Sequence, residues 1–269
     1  MKREAKKRIY SSQVLDRVMQ ILRCFSNEEP ELRFTELADR VELHRSTLYR
    51  LLEAMRGYGL IEIDKETGKY RLGLKLFELG AIAVGRLEIG KCAIPVLEKL
   101  VEQTGETAHL CVLDGSDVVY VAKVECKQPL RIPSGVGRRN PAYCTGVGKA
   151  ILAFLPEDEL ESYLAKTEMR AFTRKTITSP AELKRQLRLT RARGYSVDDQ
   201  EIDDGIRCVG APVRDHRGVV VAAISIAGPS IRITKERVPE LASYVVEAAN
   251  NISEQLGYSS TRKLNVVAR

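Results

Sequence analysis

The stretch FTELADRVELHRSTLYRLLEAMRGYGLI, which runs from Phe34 to Ile61, decides the fold of the N-terminal part of the chain. Its apolar residues recur at helical spacing in two groups, which predicts two short amphipathic helices. The first group is Leu37, Ala38 and Val41, and the second is Leu48, Leu51, Leu52 and Met55. Only the segment from Glu42 to His44 separates the groups, which is enough for a turn. Two helices joined in this way form a helix-turn-helix, the motif whose second helix reads DNA.

The opposite face of the second helix carries side chains suited to a DNA groove. They combine two cations, hydroxyl groups and a phenol: Arg45, Arg50, Ser46, Thr47 and Tyr49. Such groups bind phosphates and base edges when a helix lies in the major groove. On these residues alone, an ordinary helical hairpin with a solvated polar face is an equal alternative.

A β-hairpin predicted directly after the second helix favours DNA binding. The segment Leu60–Ile63 is β-prone, Asp64–Gly68 has turn residues, and Lys69–Leu72 returns as a strand. The basic residues expected to contact DNA from this wing are Lys65, Lys69 and Arg71. Two further residues expected to contact DNA, at the entry to the first helix, are Arg33 and Thr35. Together these elements predict a winged helix-turn-helix over residues 10–73.

The composition fits a globular protein of two domains. The chain has 269 residues, of which 44% are hydrophobic and 29% charged. Its net charge of +7 is compatible with nucleic acid binding, and a basic run near the N-terminus, Lys2–Arg8, is expected to be a disordered tail. No apolar run approaches the roughly 18–20 residues of a membrane span, so we expect a cytoplasmic protein without membrane contact.

Cysteine and histidine give no sign of a metal site. The six cysteines are scattered singly without a CxxC pair, and only three histidines could join them. We therefore predict free thiols, no metal and no cofactor.

A long apolar helix is predicted to link the winged domain to the rest of the chain. Residues 74–90 have little polar surface, although a linker should be polar unless something covers it. Burial against its own domain is one interpretation. We favour the other, in which this helix packs against a second copy of itself.

The remainder, residues 91–258, alternates helices and strands. Turn residues at Asp114–Asp117 and Asp215–Gly218 predict two β-hairpins, with residues 135–139 a loop. A short helix is expected from Gly148. A longer one, opened by a capping box at Ser179 with proline at its first helical position, should run to Arg193, and a final helix should begin at Thr234. The pattern predicts an α+β sensor-like domain.

The second half resembles the IclR family of bacterial transcriptional regulators. The resemblance rests on Gly194-x3-Asp198-x2-Glu201-x6-Cys208-Val209-Gly210-x2-Val213-x-Asp215 and on the blocks Tyr143–Ala150 and Ala223–Pro229. Arg214 departs from it, because the family usually has an aromatic residue or histidine there. With the winged motif, the resemblance covers nearly the whole chain from Ser11 to Leu256.

The resemblance implies a winged helix-turn-helix joined by a linker helix to a GAF/PAS-like α+β effector-binding domain. It also implies a homodimer or dimer of dimers on double-stranded operator DNA, in a bacterial or archaeal cytoplasm and at the nucleoid when bound to DNA. Effectors in the family are usually small organic acids, aromatic acids or sugar-acid metabolites.

The resemblance also implies an effector pocket, whose residues are assigned by matching the family's pocket positions to this sequence one by one. Its backbone groups would come from Gly146 and Val147, and its side chains from Asp198, Cys208 and Ser225. Ile132 and Asn140 match wall positions, and the polar Asn140 hints at a polar ligand such as a sugar acid. Ala227 stands where relatives that bind small keto acids often have a second serine, so one hydrogen-bond donor is missing. Independently of the resemblance, residues 145–148 at a helix start would present backbone N–H groups to an anion, with a plain tight turn as the alternative.

Two other classes of function are possible in principle. A hydrolase-like enzyme with an accessory winged domain would need a nucleophile pair such as Cys208 with His109 or His216. The chain has no GxSxG or HExxH motif, and a hydrolase explains neither the wing nor the second helix, so no catalytic residue is predicted. An architectural DNA-binding protein without a ligand would leave the second domain without a role.

Overall fold

A computed structural model describes residues 12–26, 29–85, 89–130, 132 and 134–259. The chain divides into two compact units, Met1–Arg86 and Leu87–Arg269. The predicted basic tail lies outside the described residues.

The first unit is a winged helix-turn-helix, as predicted. Its elements in chain order are α1 (Gln13–Leu22), β1 (Glu31–Leu32), α2 (Phe34–Arg40), α3 (Arg45–Gly57), β2 (Ile61–Ile63), β3 (Tyr70–Leu72) and α4 (Leu74–Gly85). The strands form one antiparallel sheet in the order β1-β3-β2. The sequence did not predict β1, because two residues are too few to show an alternating pattern.

The apolar stripes of α2 and α3 form the core of this unit. Its fully buried side chains are Ile21, Leu32, Leu37, Leu48, Leu52, Met55 and Ile61. The start of the first helix lies outside this core, since Val14 and Leu15 are 57% and 65% exposed. Only the C-terminal half of α1 and the residues just after it reach the core, where Ile21 and Phe25 pack.

The described part of the predicted linker helix is helical, as α4 (Leu74–Gly85), and the described residues resume at Ile89 in α5 (Ile89–Thr104). Leu74, Phe77 and Leu79 on α4 are exposed within the single chain.

The second unit is a six-stranded antiparallel sheet with helices on both faces. Its elements are α5 (Ile89–Thr104), β4 (Thr107–Asp114), β5 (Asp117–Val124), β6 (Arg139–Pro141), a 3-10 turn (Ala142–Cys144), α6 (Gly146–Leu152), α7 (Glu157–Lys166), α8 (Pro180–Arg193), β7 (Ser196–Asp199), β8 (Ile206–Arg214), β9 (Val220–Pro229) and α9 (Val238–Gln255). The strand order is β6-β5-β4-β9-β8-β7. Buried residues of α5 and α9 pack on one face, and those of α6, α7 and α8 pack on the other.

The two predicted hairpins are present, but the edge strands were missed. Residues 135–139 were predicted as loop, whereas Arg139 opens β6 and pairs with Val119 of β5. The polar strand β7 pairs with β8. Both edge strands lack apolar alternation, and Pro141 is tolerated in β6 because it lies at the sheet edge.

Two predicted helix starts are also corrected, and a third helix lacks its predicted cap. α6 begins at Gly146 instead of Gly148, because the Thr145 hydroxyl accepts a hydrogen bond from the Gly148 N–H at 3.1 Å and caps the helix there. α9 begins at Val238 instead of Thr234, with a turn before it and proline in its first turn. α8 begins at Pro180 as predicted, but the Ser179 side chain makes no cap, and the Glu182 carboxylate of the predicted capping box accepts hydrogen bonds from Arg185.

Candidate functional site

The exposed face of α3 carries the predicted DNA-contacting residues. The side chains of Arg45, Ser46, Tyr49 and Arg50 are exposed and Thr47 is half-buried. The buried stripe on the opposite side of the helix keeps this face directed to solvent. His44 caps the helix, with its Nδ1 2.8 Å from the Ser46 Oγ.

The three basic residues of the wing differ in their exposure and in their ion pairing. Lys65 lies exposed in the turn, whose shape depends on the Asp64 carboxylate accepting hydrogen bonds from the backbone and hydroxyl of Thr67. These hydrogen bonds lower the pKa of Asp64. Lys69 is half-buried, and Arg71 pairs across the hairpin with Glu62 at 3.1 Å. Lys65 is therefore the wing cation with the fewest competing contacts among these three.

Arg33 and Thr35 flank the start of α2, and both side chains are exposed. The Arg33 backbone N–H donates to the Glu36 carboxylate at 2.6 Å, which stabilises the first turn.

A cavity in the second unit brings the predicted effector residues together. The space between its lining residues, with the adjoining open solvent included, is about 520 Å³. Every predicted effector residue lines it: Ile132, Asn140, Gly146, Val147, Asp198, Cys208, Ser225 and Ala227. The sequence did not predict the other lining residues as part of the effector pocket: His109, Tyr120, Ser134, Thr145, Ile202, Asp203 and Ile206.

Sheet register explains why these distant residues meet. Ser225 in β9 lies opposite His109 in β4 and Gly210 in β8. Cys208 lies two residues before Gly210 on β8 and so points to the same face of the sheet. It lies opposite Ala227 of β9 on one side and Asp198 of β7 on the other. The sequence alone therefore does not identify His109 as a residue of the cavity, because this depends on the pairing of β4 with β9.

The start of α6 approaches the sheet closely and forms another wall. A Cβ at Gly146 would lie 3.2 Å from the Cys208 Cβ, and one at Gly148 would lie 2.1 Å from the Ala142 carbonyl oxygen. The second contact requires glycine at position 148, whereas a Cβ at position 146 would need the Cys208 side chain to shift by a few tenths of an ångström. The first N–H groups of a helix have no acceptor within it, so those of Gly146 and Val147 are available to a ligand.

A buried ion pair lies beside the cavity. The Lys149 ammonium pairs with the Glu201 carboxylate, and both side chains are buried. Among the described residues, the second oxygen of Glu201 is the one buried side-chain polar atom without a hydrogen-bond partner. The Glu201 backbone N–H donates to the Asp198 Oδ1 at 2.7 Å, and burial raises the pKa of Asp198 to about 7.

The opposite side of the cavity is polar but uncharged. The His109 Nε2 lies 2.8 Å from the Ser134 Oγ, and the His109 ring packs edge-on to Tyr120 at 5.1 Å. Burial, assisted by the Lys123 charge, lowers the pKa of His109 to about 3. The Asn140 amide donates to the Tyr120 hydroxyl at 3.2 Å. Hydroxyl and amide groups are therefore the hydrogen-bonding groups on this side.

The Cys–His pair considered from sequence does not have the properties of a nucleophile pair. His216 is exposed in the turn between β8 and β9, away from the cavity lining. His109 and Cys208 do share the cavity, but burial raises the pKa of the Cys208 thiol well above its usual range. A thiol that stays protonated is a poor nucleophile.

Neither a metal-binding cluster nor a membrane-spanning helix occurs among the described residues. They contain no group of three or more candidate metal-binding side chains. None of the helices in this part of the chain is long and apolar enough to cross a membrane.

Family models match both units of the chain. Residues 14–65 match the IclR helix-turn-helix domain, and residues 81–254 match the bacterial transcriptional regulator IclR C-terminal domain. The second match alone covers more than half of the chain.

Individual relatives agree with these models. The chain is 40% identical over 248 residues to the HTH-type transcriptional regulator KdgR of Escherichia coli (strain K12), covering 90% of this chain and 94% of that protein. The Thermotoga maritima IclR structure matches with a TM-score of 0.78 and 36% identity, covering 91% of this chain and 99% of that one. An IclR homolog from Microbacterium hydrocarbonoxydans, in complex with 4-hydroxybenzoate, matches with a TM-score of 0.81 and 26% identity, covering 91% and 100%.

The curated relatives are named as transcriptional regulators or repressors and not as enzymes, which sets the hydrolase alternative aside. The chain therefore belongs to the IclR family of bacterial transcriptional regulators, with a DNA-binding helix-turn-helix and a C-terminal effector-binding domain.

Proposed function

We propose that this regulator binds operator DNA through α3 and the wing, and that a small carboxylic acid in the cavity changes the affinity for DNA. The observation that carries the proposal is the convergence of Gly146, Asp198, Cys208 and Ser225, from four elements, on a single cavity.

The DNA-binding part of the proposal places α3 in the major groove. The contacting residues would be Arg45, Ser46, Thr47, Tyr49 and Arg50, with Arg33 and Thr35 beside them and Lys65, Lys69 and Arg71 on the wing. Arginine and lysine on phosphates would supply affinity, while side chains at base edges would supply specificity.

A homodimer, or a dimer of such dimers, is the proposed assembly. The exposed apolar side chains of α4, Leu74, Phe77 and Leu79, support this because a surface patch of this kind usually marks an interface. Two copies of α3 would then read half-sites about one helical turn, or a multiple of it, apart. In this scheme residues 10–73 bind DNA, residues 74–90 link the domains and residues 91–258 bind the effector.

The proposed ligand places its carboxylate near the N–H groups of Gly146 and Val147 and the Ser225 hydroxyl. The uncharged side of the cavity, with Asn140 and Ser134, would then bind hydroxyl groups of the same ligand. Ala227 adds no hydroxyl, which favours a hydroxylated acid such as a sugar acid over a two- or three-carbon keto acid. The Microbacterium relative in complex with 4-hydroxybenzoate supports a carboxylic acid as the ligand class.

Ligand and DNA would be coupled through the two units. A ligand changes DNA affinity only by its differential affinity for two arrangements of the chain, commonly about 1–3 kcal/mol. Whether the acid releases or strengthens DNA binding depends on which arrangement it favours.

A thermal-shift panel of small keto, aromatic and sugar acids tests the ligand class. A ligand specific to the folded protein raises its melting temperature by mass action. We expect at least one hydroxylated acid to do so, and Ser225→Ala to abolish the shift. A flat response across the whole panel would contradict the proposal.

A further inference from the structure

Asp198 is a buried carboxylate in the wall of the cavity, and a second carboxylate lies next to it. The backbone of Glu201 donates to its Oδ1 at 2.7 Å. The titratable groups that surround it come from several elements: Lys149 of α6, Glu201 of the loop after β7, Cys208 of β8, Cys144 of the 3-10 turn and Tyr120 of β5. His109 and Asp203 line the same cavity. Lys149 is the sole cation in this described set.

The positive charge of Lys149 is neutralised by the carboxylate of Glu201. Its ammonium forms the buried ion pair with Glu201, so these two charges cancel. An ionised Asp198 would therefore give the cluster a net negative charge before any ligand enters. A bound carboxylate would add a like charge in a site screened from water, which disfavours two ionised groups side by side.

We propose that Asp198 takes up one proton when a carboxylate ligand binds, and that its neutral carboxyl group then donates a hydrogen bond to the ligand. The inference rests on the proposed function, in which the cavity binds a carboxylic acid. The proton comes from solvent and returns there when the ligand leaves, and no covalent bond forms or breaks.

Of the groups in this cluster whose pKa is shifted, Asp198 is the one whose pKa lies near neutral. Burial raises the pKa of Asp198 to about 7, against the opposing effect of Lys149. The pKa of His109 is lowered to about 3, so its ring stays neutral. Burial raises the pKa of each of the other neutral neighbours, so they keep their protons: Cys144, Cys208 and Tyr120.

Calorimetry of the full-length protein tests this inference. The probes are pyruvate, 4-hydroxybenzoate, D-gluconate and D-glucuronate, all of which are ionised between pH 6 and 8. Titration in two buffers of different ionisation enthalpy counts the protons taken up with each acid that binds. We expect uptake to approach one proton per ligand at pH 8, and the apparent affinity to fall about tenfold between pH 6 and pH 8 as the protonated fraction falls.

Asp198→Asn separates this mechanism from a general effect of pH. Asparagine keeps an oxygen that can accept from the Glu201 backbone and adds an N–H that can donate to the ligand. We expect this variant to bind the same acid without proton uptake and with the same affinity at pH 6 and pH 8. The matched control Asp204→Asn, an exposed carboxylate in the same loop but outside the cavity lining, should keep the proton uptake of the parent.

The outcomes are distinguishable. Binding by the parent without proton uptake at pH 8, or uptake that persists in Asp198→Asn, overturns the inference and leaves the proposed function standing. A panel in which no acid binds overturns the proposed function, and this inference with it.

Discussion

Lys149 of α6 and Glu201 of the loop after β7 form a buried ion pair, although 52 residues separate them in the sequence. The pair attaches the loop that follows Asp198 to the helix whose first residues, Gly146 and Val147, form another wall of the cavity. Two walls of the cavity thus depend on one electrostatic contact.

Breaking this pair should destabilise the second unit. Lys149→Met keeps most of the side-chain volume but leaves the Glu201 charge buried without a partner, which we expect to cost about 3–5 kcal/mol. Urea unfolding measures the loss, and adding Glu201→Gln should recover part of it. The matched control Lys184→Met removes an exposed pair with Glu161 and should cost less than about 1 kcal/mol. Equal losses for the two single variants would contradict a structural role for the buried pair.

The ionisation of Asp198 makes a second, pH-dependent contribution to stability. Because burial raises its pKa from 3.8 to about 7, the folded state binds this proton more tightly than the unfolded state. Its contribution is therefore present at low pH and is lost as pH rises from about 4 to 7. The stability of Asp198→Asn relative to the parent should grow as pH rises over that range and level off above pH 7. Thermal unfolding of both proteins from pH 5 to pH 8 measures it, and a constant difference would contradict the account.

Removal of a cation from the exposed face of α3 should weaken DNA binding without affecting stability. For Arg45→Ala and Arg50→Ala we expect lower operator affinity. The slope of log affinity against log salt should also become shallower by about 0.9 for each phosphate that the variant no longer neutralises. Fluorescence anisotropy with labelled DNA measures both quantities.

Arg56→Ala, on the same helix but paired with Glu53 at 2.9 Å, is the matched control for these variants and should bind DNA like the parent. If Arg45→Ala and Arg50→Ala also bind like the parent, α3 does not read DNA through this face.

A charge on the apolar surface of α4 should disrupt the proposed dimer. Phe77 is 71% exposed within the single chain, so Phe77→Glu should fold normally. Burying this new charge at an interface would cost far more than the contact contributes. Light scattering after size exclusion should show a smaller particle for this variant than for Val219→Glu, a control at an exposed apolar residue of the second unit. Identical masses for the two variants would place the dimer contact elsewhere.

A substitution at Ala227 should change which acid the protein prefers to bind. Ala227→Ser adds a hydroxyl to the cavity wall on the same strand as Ser225, two residues away. A hydrogen bond of this kind is worth about 0.5–1.5 kcal/mol. We expect the variant to bind pyruvate more tightly than the parent in calorimetry, by roughly three- to tenfold. An unchanged pyruvate affinity would remove this position from ligand selection.

Sequence patterns predicted the elements that bury a regular apolar face. The stripe of Leu48, Leu52 and Met55 required α3 to pack on one side, and the hairpin turns paired β4 with β5 and β8 with β9. The edge strands β6 and β7 were missed because their residues carry no alternation that distinguishes them from loop.

The cavity was predictable only in part, and the reason lies in the sheet. Asp198, Cys208 and Ser225 were found through the family resemblance, which marks positions along the chain. The resemblance does not identify His109 or Ser134 as pocket residues. His109 lies in the cavity because β4 pairs with β9, and Ser134 lies there because its hydroxyl is hydrogen-bonded to the His109 ring. Long-range pairing of this kind depends on packing of the whole unit.

The central claim is that an acid in the cavity controls DNA binding, and one measurement tests it most directly. DNA selected from a random library by the purified protein would be titrated by anisotropy with and without a saturating acid from the thermal-shift panel. We predict a change in DNA affinity of about 5- to 150-fold that disappears in Ser225→Ala. The same DNA affinity with and without the bound acid would contradict the account.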